Sequence, residues 1–251
     1  MYYNFPCTLG QPSNTRDQTM LTQCFIKQAI LALLIITSSN IALADKVEEG
    51  LQKAGVNVLY SKSLGANKNL KFYVTDKNGY FFGEPKTGLF FDGELYDFSQ
   101  GQPESINTIV EYDILDKLPH SSIQYQAKNP SSEITILLDP LSGWGQKQIQ
   151  ELQDFANGGV TVNLVLFSTR GDESELKIVS HFLESKTPKI ALNDLFAEKE
   201  NLTETNNVSK KLLNNNALAT ALKVTGSPTI YLFGTKVNRY TTFEQIQLAT
   251  K

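Results

Sequence analysis

The stretch from residue 133 to residue 149 constrains the fold more than any other part of the chain. Its apolar, β-branched run at residues 134–138 predicts a strand that is covered on both faces. Pro140 ends this strand, because proline cannot donate a hydrogen bond to the ladder. Gly143 and Gly145 bracket a turn. Apolar residues then recur at helical spacing, at Ile149, Leu152 and Phe155. The sequence therefore predicts a strand, a tight turn and a helix that begins at the turn.

A turn at a helix N-terminus suits one kind of chemistry in particular. Free backbone N–H groups and the helix dipole favour negative charge there. Thiol redox proteins place a Cys-x-x-Cys motif at such a point, because the dipole stabilises the thiolate. In this chain the four residues are Ser142-Gly143-Trp144-Gly145. The local context of a redox site is thus present without its thiols.

Together with Asp139 and Lys147 on either side, this turn resembles the active-site region of the DsbC/DsbG family of periplasmic disulfide isomerases. In that family the turn reads Cys-Gly-Tyr-Cys or similar. The resemblance places Ser142 at the first cysteine and Gly145 at the second. It implies a thioredoxin fold and a family activity of thiol:disulfide interchange. Since both catalytic positions are degenerate, we predict that the chain has no catalytic residue.

A second motif, Thr225-Gly226-Ser227-Pro228-Thr229, resembles the Gly-Thr-Pro phrase of the same family, in which a cis proline faces the turn. Only about 5–6% of X–Pro bonds are cis, so the residues alone favour trans, and the resemblance favours cis. A cis bond would expose the Ser227 backbone for pairing with an extended peptide. The resemblance therefore implies a polypeptide-binding face. Its predicted residues are Ser142, Gly143, Trp144, Gly145, Ser227 and Pro228.

Trp144 is the only tryptophan of the chain and lies where the family often has an aromatic residue. One interpretation is a ring that contacts a bound peptide beside Pro228, because an aromatic residue next to a groove suits recognition. The other is a half-buried ring that packs on its own domain. The sequence leaves both interpretations open.

Residues 1–44 have the pattern of a leader. Lys27 precedes an apolar run at residues 29–36, and Ala42-Leu43-Ala44 follows as a small-residue cleavage site. The run is too short to span a membrane. We predict translation from Met20, cleavage after Ala44 and export to the periplasm without stable membrane insertion. The alternative is an uncleaved anchor.

Export and cysteine content together limit the chemistry. Both cysteines, Cys7 and Cys24, precede the predicted cleavage site, so the mature chain has no thiol in a compartment where disulfides persist. The two histidines, His120 and His181, are far apart in the sequence and match no metal pattern, and no phosphate-binding loop follows a strand. We therefore predict no metal, no cofactor and no serine hydrolase built on Ser142. A net charge of −3 argues against nucleic acid as a partner.

The predicted organisation of the chain has three parts after the leader. Residues 45–98 combine one helix with short antiparallel strands. They predict a small α+β unit, which resembles the cystatin-like dimerisation domain of the family. Residues 99–131 form a linker with a helix, and residues 132–251 follow the order β, α, β, helical insertion, β, β, α of a thioredoxin-like domain. A homodimer through the first unit is the prediction, and a monomeric N-terminal subdomain is the alternative.

Three functions fit these observations. The favoured one is an exported, dimeric protein that holds extended or unfolded polypeptides without redox chemistry. The second is the isomerase or oxidase activity that homology suggests, and it requires thiols. The third is a structural part of a conjugation or secretion machine.

Overall fold

The computed structural model describes residues 45–65, 67–195, 202–232 and 234–249. The predicted leader, with Met20 and both cysteines, lies outside these residues. Order in the described part begins at Asp45, whose Oδ1 accepts the N–H groups of Val47 and Glu48 at 3.1 and 3.2 Å. This carboxylate caps the first helix, as aspartate commonly does.

The N-terminal elements are one helix and six short strands. They are α1 (Lys46–Lys53), β1 (Val58–Leu64), β2 (Asn67–Thr75), β3 (Gly79–Gly83), β4 (Phe90–Phe91), β5 (Tyr96–Asp97) and β6 (Glu104–Ser105). Strands β1 to β4 form an antiparallel sheet in sequence order, and β5 pairs with β6. This is the predicted mixture of one helix and short antiparallel strands.

The remaining elements build a second sheet with helices on both faces. They are α2 (Ile106–Lys117), β7 (Ile123–Tyr125), β8 (Ser132–Leu138), α3 (Gly143–Asn157), β9 (Val160–Leu166), α4 (Glu173–Glu184), α5 (Pro188–Asp194), α6 (Lys210–Ala221), β10 (Thr229–Leu232), β11 (Thr235–Val237) and α7 (Phe243–Ala249). The strand order is β11-β10-β8-β9-β7, with β8 and β9 parallel and joined through α3. The fold is therefore α/β and thioredoxin-like, with α4, α5 and α6 as the helical insertion.

One strand of this sheet was missed in the sequence. Strand β7 lies inside the predicted linker 99–131 and pairs antiparallel with β9, with Ile123 opposite Leu164. The sheet thus begins before the predicted boundary at residue 132. Three residues are too few for an alternating pattern to stand out from a loop, so only the pairing with β9 identifies this strand.

The two faces of the second sheet contribute to different cores. Ile136 and Leu138 point to the face covered by α3, α4 and α5, and Leu137 between them points to the opposite face. On that opposite face the core also includes Ile114 of α2 and Phe82 of β3. The N-terminal sheet and the thioredoxin-like sheet therefore share one core through α2.

A buried ion pair fastens this shared core. Glu111 of α2 is 6% exposed, and its Oε1 lies 2.9 Å from the Lys236 Nζ of β11. The same ammonium donates to the carbonyl oxygen of Leu222 at 2.9 Å, and the Tyr80 hydroxyl donates to the Glu111 carboxylate at 3.2 Å. Residues of α2, β3 and β11 thus meet at one carboxylate.

We expect Lys236→Met to lower the free energy of unfolding by about 3 kcal/mol, because it leaves a buried carboxylate without its cation. The matched control is Lys117→Met, which breaks an ion pair whose side chains are 51% and 70% exposed. Exposed pairs contribute less than about 1 kcal/mol. Urea denaturation measures both changes. Equal losses in the two variants would contradict a special role for the Glu111–Lys236 pair.

Candidate functional site

Three residues from two distant segments meet at the carboxyl end of β8. The backbone N–H of Asp139 donates to Ser227 Oγ at 2.8 Å, although the two residues are 88 positions apart. The Ser142 and Ser227 hydroxyl oxygens lie 3.2 Å from each other. The structure thus brings the turn and the Ser227–Pro228 segment together. We call Asp139, Ser142 and Ser227 the junction.

Asp139 is 2% exposed, and its carboxylate is satisfied by loop groups. Oδ1 accepts the N–H of Leu141 at 2.9 Å, and Oδ2 accepts both the N–H and the hydroxyl of Thr169, at 3.1 and 2.5 Å. The carboxylate therefore fixes the loop after β9, whereas Ser142 caps the helix.

Ser142 is the N-cap of α3. Its Oγ accepts the N–H of Gly145 at 2.9 Å and lies 3.0 Å from the carbonyl oxygen of Asp139. Gly143 and Gly145 were expected to bracket a turn before the helix, but both lie in its first turn. The hydroxyl therefore occupies a position at a helix N-terminus, and it does so as a structural hydrogen-bonding group.

Gly145 is buried and tightly enclosed. A Cβ at this position would lie 1.9 Å from the carbonyl oxygen of Asp139 and 2.7 Å from Ser142 Oγ. Contacts this short do not occur, so the backbone at Gly145 has no room for a side chain. By contrast, a Cβ at Gly143 would meet nothing within 4 Å. The absence of a side chain at Gly145 therefore allows the Asp139 carbonyl oxygen and Ser142 Oγ to lie against its backbone.

The Ser227–Pro228 peptide bond is cis, the conformation that the resemblance favoured. Pro228 is buried, whereas Ser227 is partly exposed. Within the described part of the chain, neither the N–H nor the carbonyl of Ser227 has a hydrogen-bond partner. Because strands pair through such groups, this backbone is open to pairing with an extended peptide.

Trp144 lies on the surface next to the junction. Its side chain is 57% exposed, its ring centroid is 6.0 Å from that of Tyr240, and Lys147 Nζ lies 4.3 Å above the indole. The Tyr240 hydroxyl donates to Glu151 at 2.7 Å, and this bond, together with partial burial, raises the pKa of Tyr240. Sequence reasoning missed Tyr240, because nothing in the sequence brings it close to Trp144. The tryptophan is exposed and also packs on an aromatic neighbour of its own domain, so both interpretations of this residue stay open.

No hydrolytic or metal chemistry assembles at the junction within the described residues. His120 Nδ1 lies 3.0 Å from the carbonyl oxygen of Leu118, and His181 packs on Phe182, so neither histidine bonds Ser142. The described residues contain no group of three His, Cys, Asp or Glu side chains that could hold a metal ion. None of their helices is long and apolar enough to cross a membrane.

Comparison with known proteins identifies sequence relatives of this chain. No protein-family profile matches the chain. The "Thiol:disulfide interchange protein DsbC" of Haemophilus influenzae is 28% identical over 211 residues, which cover 82% of this chain and 89% of that protein. The protein of the same name from Escherichia coli K12 is 25% identical over 85% of this chain and 91% of its own length. The chain is a relative of the DsbC proteins.

Solved structures give weaker likenesses. Helicobacter pylori DsbG covers 75% of this chain and 99% of its own at 18% identity, with a TM-score of 0.43. The catalytic domain of Proteus mirabilis ScsC covers 57% of this chain and 93% of its own at 16% identity, with a TM-score of 0.44. The fold assignment above rests on the strand order and not on these scores.

The DsbC relatives are named for thiol:disulfide interchange, a reaction that begins with a thiolate. This chain has no cysteine after residue 24. The junction has a serine hydroxyl and an enclosed glycine at the two positions that the DsbC resemblance assigns to cysteines. The described residues at these two positions therefore offer a hydroxyl and a backbone without a side chain, and no thiol.

We expect Gly145→Ala to lower the free energy of unfolding by about 3 kcal/mol, because the new methyl group forces the Asp139 carbonyl or α3 to shift. The matched control is Gly143→Ala, two residues earlier in the same helical turn, where a Cβ fits freely. Alanine is the better helix former, so this control should equal or slightly exceed the wild type. Denaturant unfolding measures both variants. If Gly145→Ala proves as stable as the control, the enclosure at Gly145 is wrong.

Proposed function

We propose that this DsbC-like protein binds extended or unfolded polypeptides at the junction without redox chemistry, as a chaperone-like protein. One observation carries the proposal. The unpaired backbone of Ser227 lies at a junction that has no thiol, next to the exposed ring of Trp144. This face offers the means of holding a chain but no group that forms a covalent bond with it.

Two interactions of different kinds would hold the client. Backbone hydrogen bonds to Ser227 require only an extended main chain, so they give affinity with little sequence preference. Trp144 adds a large apolar surface that is already exposed and supported by Tyr240. Aromatic anchors of this type commonly dominate binding energy. The face would therefore accept many chains, each with modest affinity.

Isomerase activity is the alternative that the names of the relatives suggest. Exchange needs an attacking thiolate and a second thiol that resolves the mixed disulfide. Residues 45–251 contain neither, and Gly145 has no room for a side chain that could supply one. A part in a conjugation or secretion machine was the third function considered from the sequence, and no feature of the junction favours it.

We further propose that the mature protein begins at Asp45, resides in the periplasm and forms a homodimer through the N-terminal sheet. Strand β4 lies at an edge of that sheet. Leu89, Phe90 and Phe91 on and before this strand are 71%, 61% and 41% exposed. An exposed apolar edge strand pairs readily with a second chain, and two binding faces in one dimer would raise the effective affinity for a long client.

The test of binding uses a labelled, permanently unfolded polypeptide and fluorescence anisotropy. We expect Trp144→Ala to weaken binding by about 1–3 kcal/mol, since it removes the anchor. Its stability in denaturant should change little, because the ring is 57% exposed. The matched control is Ile190→Ala, which truncates another apolar side chain of the same exposure and should bind like the wild type.

The same preparation should fail to rearrange a protein with scrambled disulfides. Turnover by thiol-free material would support the isomerase alternative. Binding that is unchanged in Trp144→Ala would place the client surface elsewhere on the molecule.

For assembly, we expect light scattering to give twice the mass of the mature chain. Leu89→Lys should shift this mass toward the monomer, because it places a charge on the apolar edge. Leu213→Lys is the matched control, since Leu213 is 53% exposed on α6. A wild-type monomer at all protein concentrations would refute the dimer, and a dimer that survives Leu89→Lys would exclude this edge.

A further inference from the structure

A separate cleft opens beside Thr169, whose hydroxyl is bonded to Asp139. Its volume is about 350 Å³, near the lower end of the roughly 300–1,000 Å³ range of ligand pockets. It lies between the loop after β9, the outer surface of α6 and the segment that leads to Ser227. Its lining includes Ser168, Thr169, Asn216, Thr220, Val224 and Thr225. We call it the α6 cleft.

Two of the polar side chains in the α6 cleft already donate hydrogen bonds within the protein. The Thr169 hydroxyl donates to Asp139, and the Ser168 hydroxyl donates to Glu175 at 2.6 Å. The side-chain amide of Asn216 uses only its oxygen within the protein, because Oδ1 accepts the N–H of Ser168 at 3.0 Å. That bond fixes the amide orientation and leaves Nδ2 as the group that can bind a ligand.

Three polar groups of the α6 cleft remain available. Within the described part of the chain, Asn216 Nδ2 and the hydroxyls of Thr220 and Thr225 have no hydrogen-bond partner. The amide nitrogen can only donate, whereas each hydroxyl can donate or accept. A ligand group that both accepts and donates would satisfy all three, and a carboxamide is such a group.

The α6 cleft is also uncharged. None of its lining residues is ionisable. The nearest cations along the chain are engaged elsewhere, since Lys223 pairs with Asp92 and lies over the Tyr80 ring. Arg170 is 79% exposed and lies 4.0 Å from Glu175. A charged ligand group would therefore lose solvation without gaining a counter-ion, which is unfavourable. The lining selects a neutral polar group.

The position of the α6 cleft connects it with the proposed peptide. Thr225 precedes Ser227 by two residues, and Thr169 is bonded to Asp139, which is bonded to Ser227. Two residues of an extended chain span about 6.6–7 Å. A polypeptide paired with the Ser227 backbone would thus carry one of its next side chains past the α6 cleft.

We propose that the α6 cleft is a specificity subsite that takes a glutamine or asparagine side chain of the bound polypeptide. This inference rests on the proposed function and adds a preference to it. Asn216 Nδ2 donates to the carbonyl oxygen of the ligand amide, and the threonine hydroxyls accept its N–H groups. Apolar contact with Val224 covers the stem of the side chain.

The test uses short labelled peptides in which a single glutamine moves along a serine–alanine sequence that keeps one fixed tyrosine for Trp144. Anisotropy should show one register that binds about five- to tenfold tighter than the peptide without glutamine, because one or two hydrogen bonds are gained. In that register, glutamate, lysine or leucine in place of glutamine should abolish the gain.

Variants of the protein locate the preference. Thr225→Val should remove part of the glutamine gain while leaving the affinity of the glutamine-free peptide unchanged, and Thr108→Val on α2 is the matched control. Asn216→Asp keeps the acceptor for the Ser168 N–H but replaces the donor by a carboxylate. It should therefore transfer the preference from glutamine to lysine, and circular dichroism checks its fold.

The outcomes separate the two proposals. If peptides bind in a manner that depends on Trp144 but no register prefers glutamine, the subsite is refuted and the proposed function stands. A glutamine preference that survives both Thr225→Val and Asn216→Asp also refutes the subsite. If no peptide binds, both proposals are wrong.

Discussion

The hydrogen bond from the Asp139 N–H to Ser227 Oγ is the contact on which the site depends. It joins the end of β8 to the segment before β10, and Ser142 joins the same two residues from the start of α3. Neighbouring strands alone would align β8 with β10 but would leave the turn and the proline segment free to diverge. The junction holds both in one place, so the open backbone of Ser227 lies beside the start of the helix that carries Trp144.

Serine at position 142 explains how such a site persists without thiol chemistry. A helix N-terminus that could stabilise a thiolate equally rewards a hydroxyl that accepts its N–H groups, and serine is among the best N-cap residues. Glycine at position 145 then lets the Asp139 carbonyl approach more closely than any side chain would allow. A side chain at position 145 would therefore force the turn to open, and a single substitution at either position would supply only one thiol.

The sequence predicted the elements of the fold well, because long apolar runs and clear breaks mark them. The apolar run at residues 134–138 lies in the strand Ser132–Leu138, and Ile149, Leu152 and Phe155 lie in the helix Gly143–Asn157. Strand β7 was missed, since its identity comes from pairing with β9 and not from its own three residues. For the same reason, the predicted boundary at residue 132 leaves β7 in the linker, although β7 pairs with a strand of the second sheet.

The candidate site was predictable only where the family resemblance indicated that two distant motifs lie next to each other. Ser142 and Ser227 were expected to converge because two motifs occur in the right order, and the structure brings them together. Tyr240 beneath Trp144 and the role of Asp139 toward Thr169 could not be predicted, because both are contacts between loops that no local pattern connects. The proposed role of Asn216 could not be predicted either, because it depends on which atom of the side-chain amide accepts the Ser168 N–H.

The shared core gives the proposed avidity a physical basis. Two binding faces in a homodimer raise the affinity for one client only if a chain can reach both, so their separation has to be defined. A flexible linker between the two sheets would leave the separation of the two binding faces undefined. Here α2 is packed between the two sheets and fastened by Glu111 and Lys236, which ties the N-terminal sheet to the strand that follows β10. The buried ion pair would thus fix the geometry in which two junctions act together.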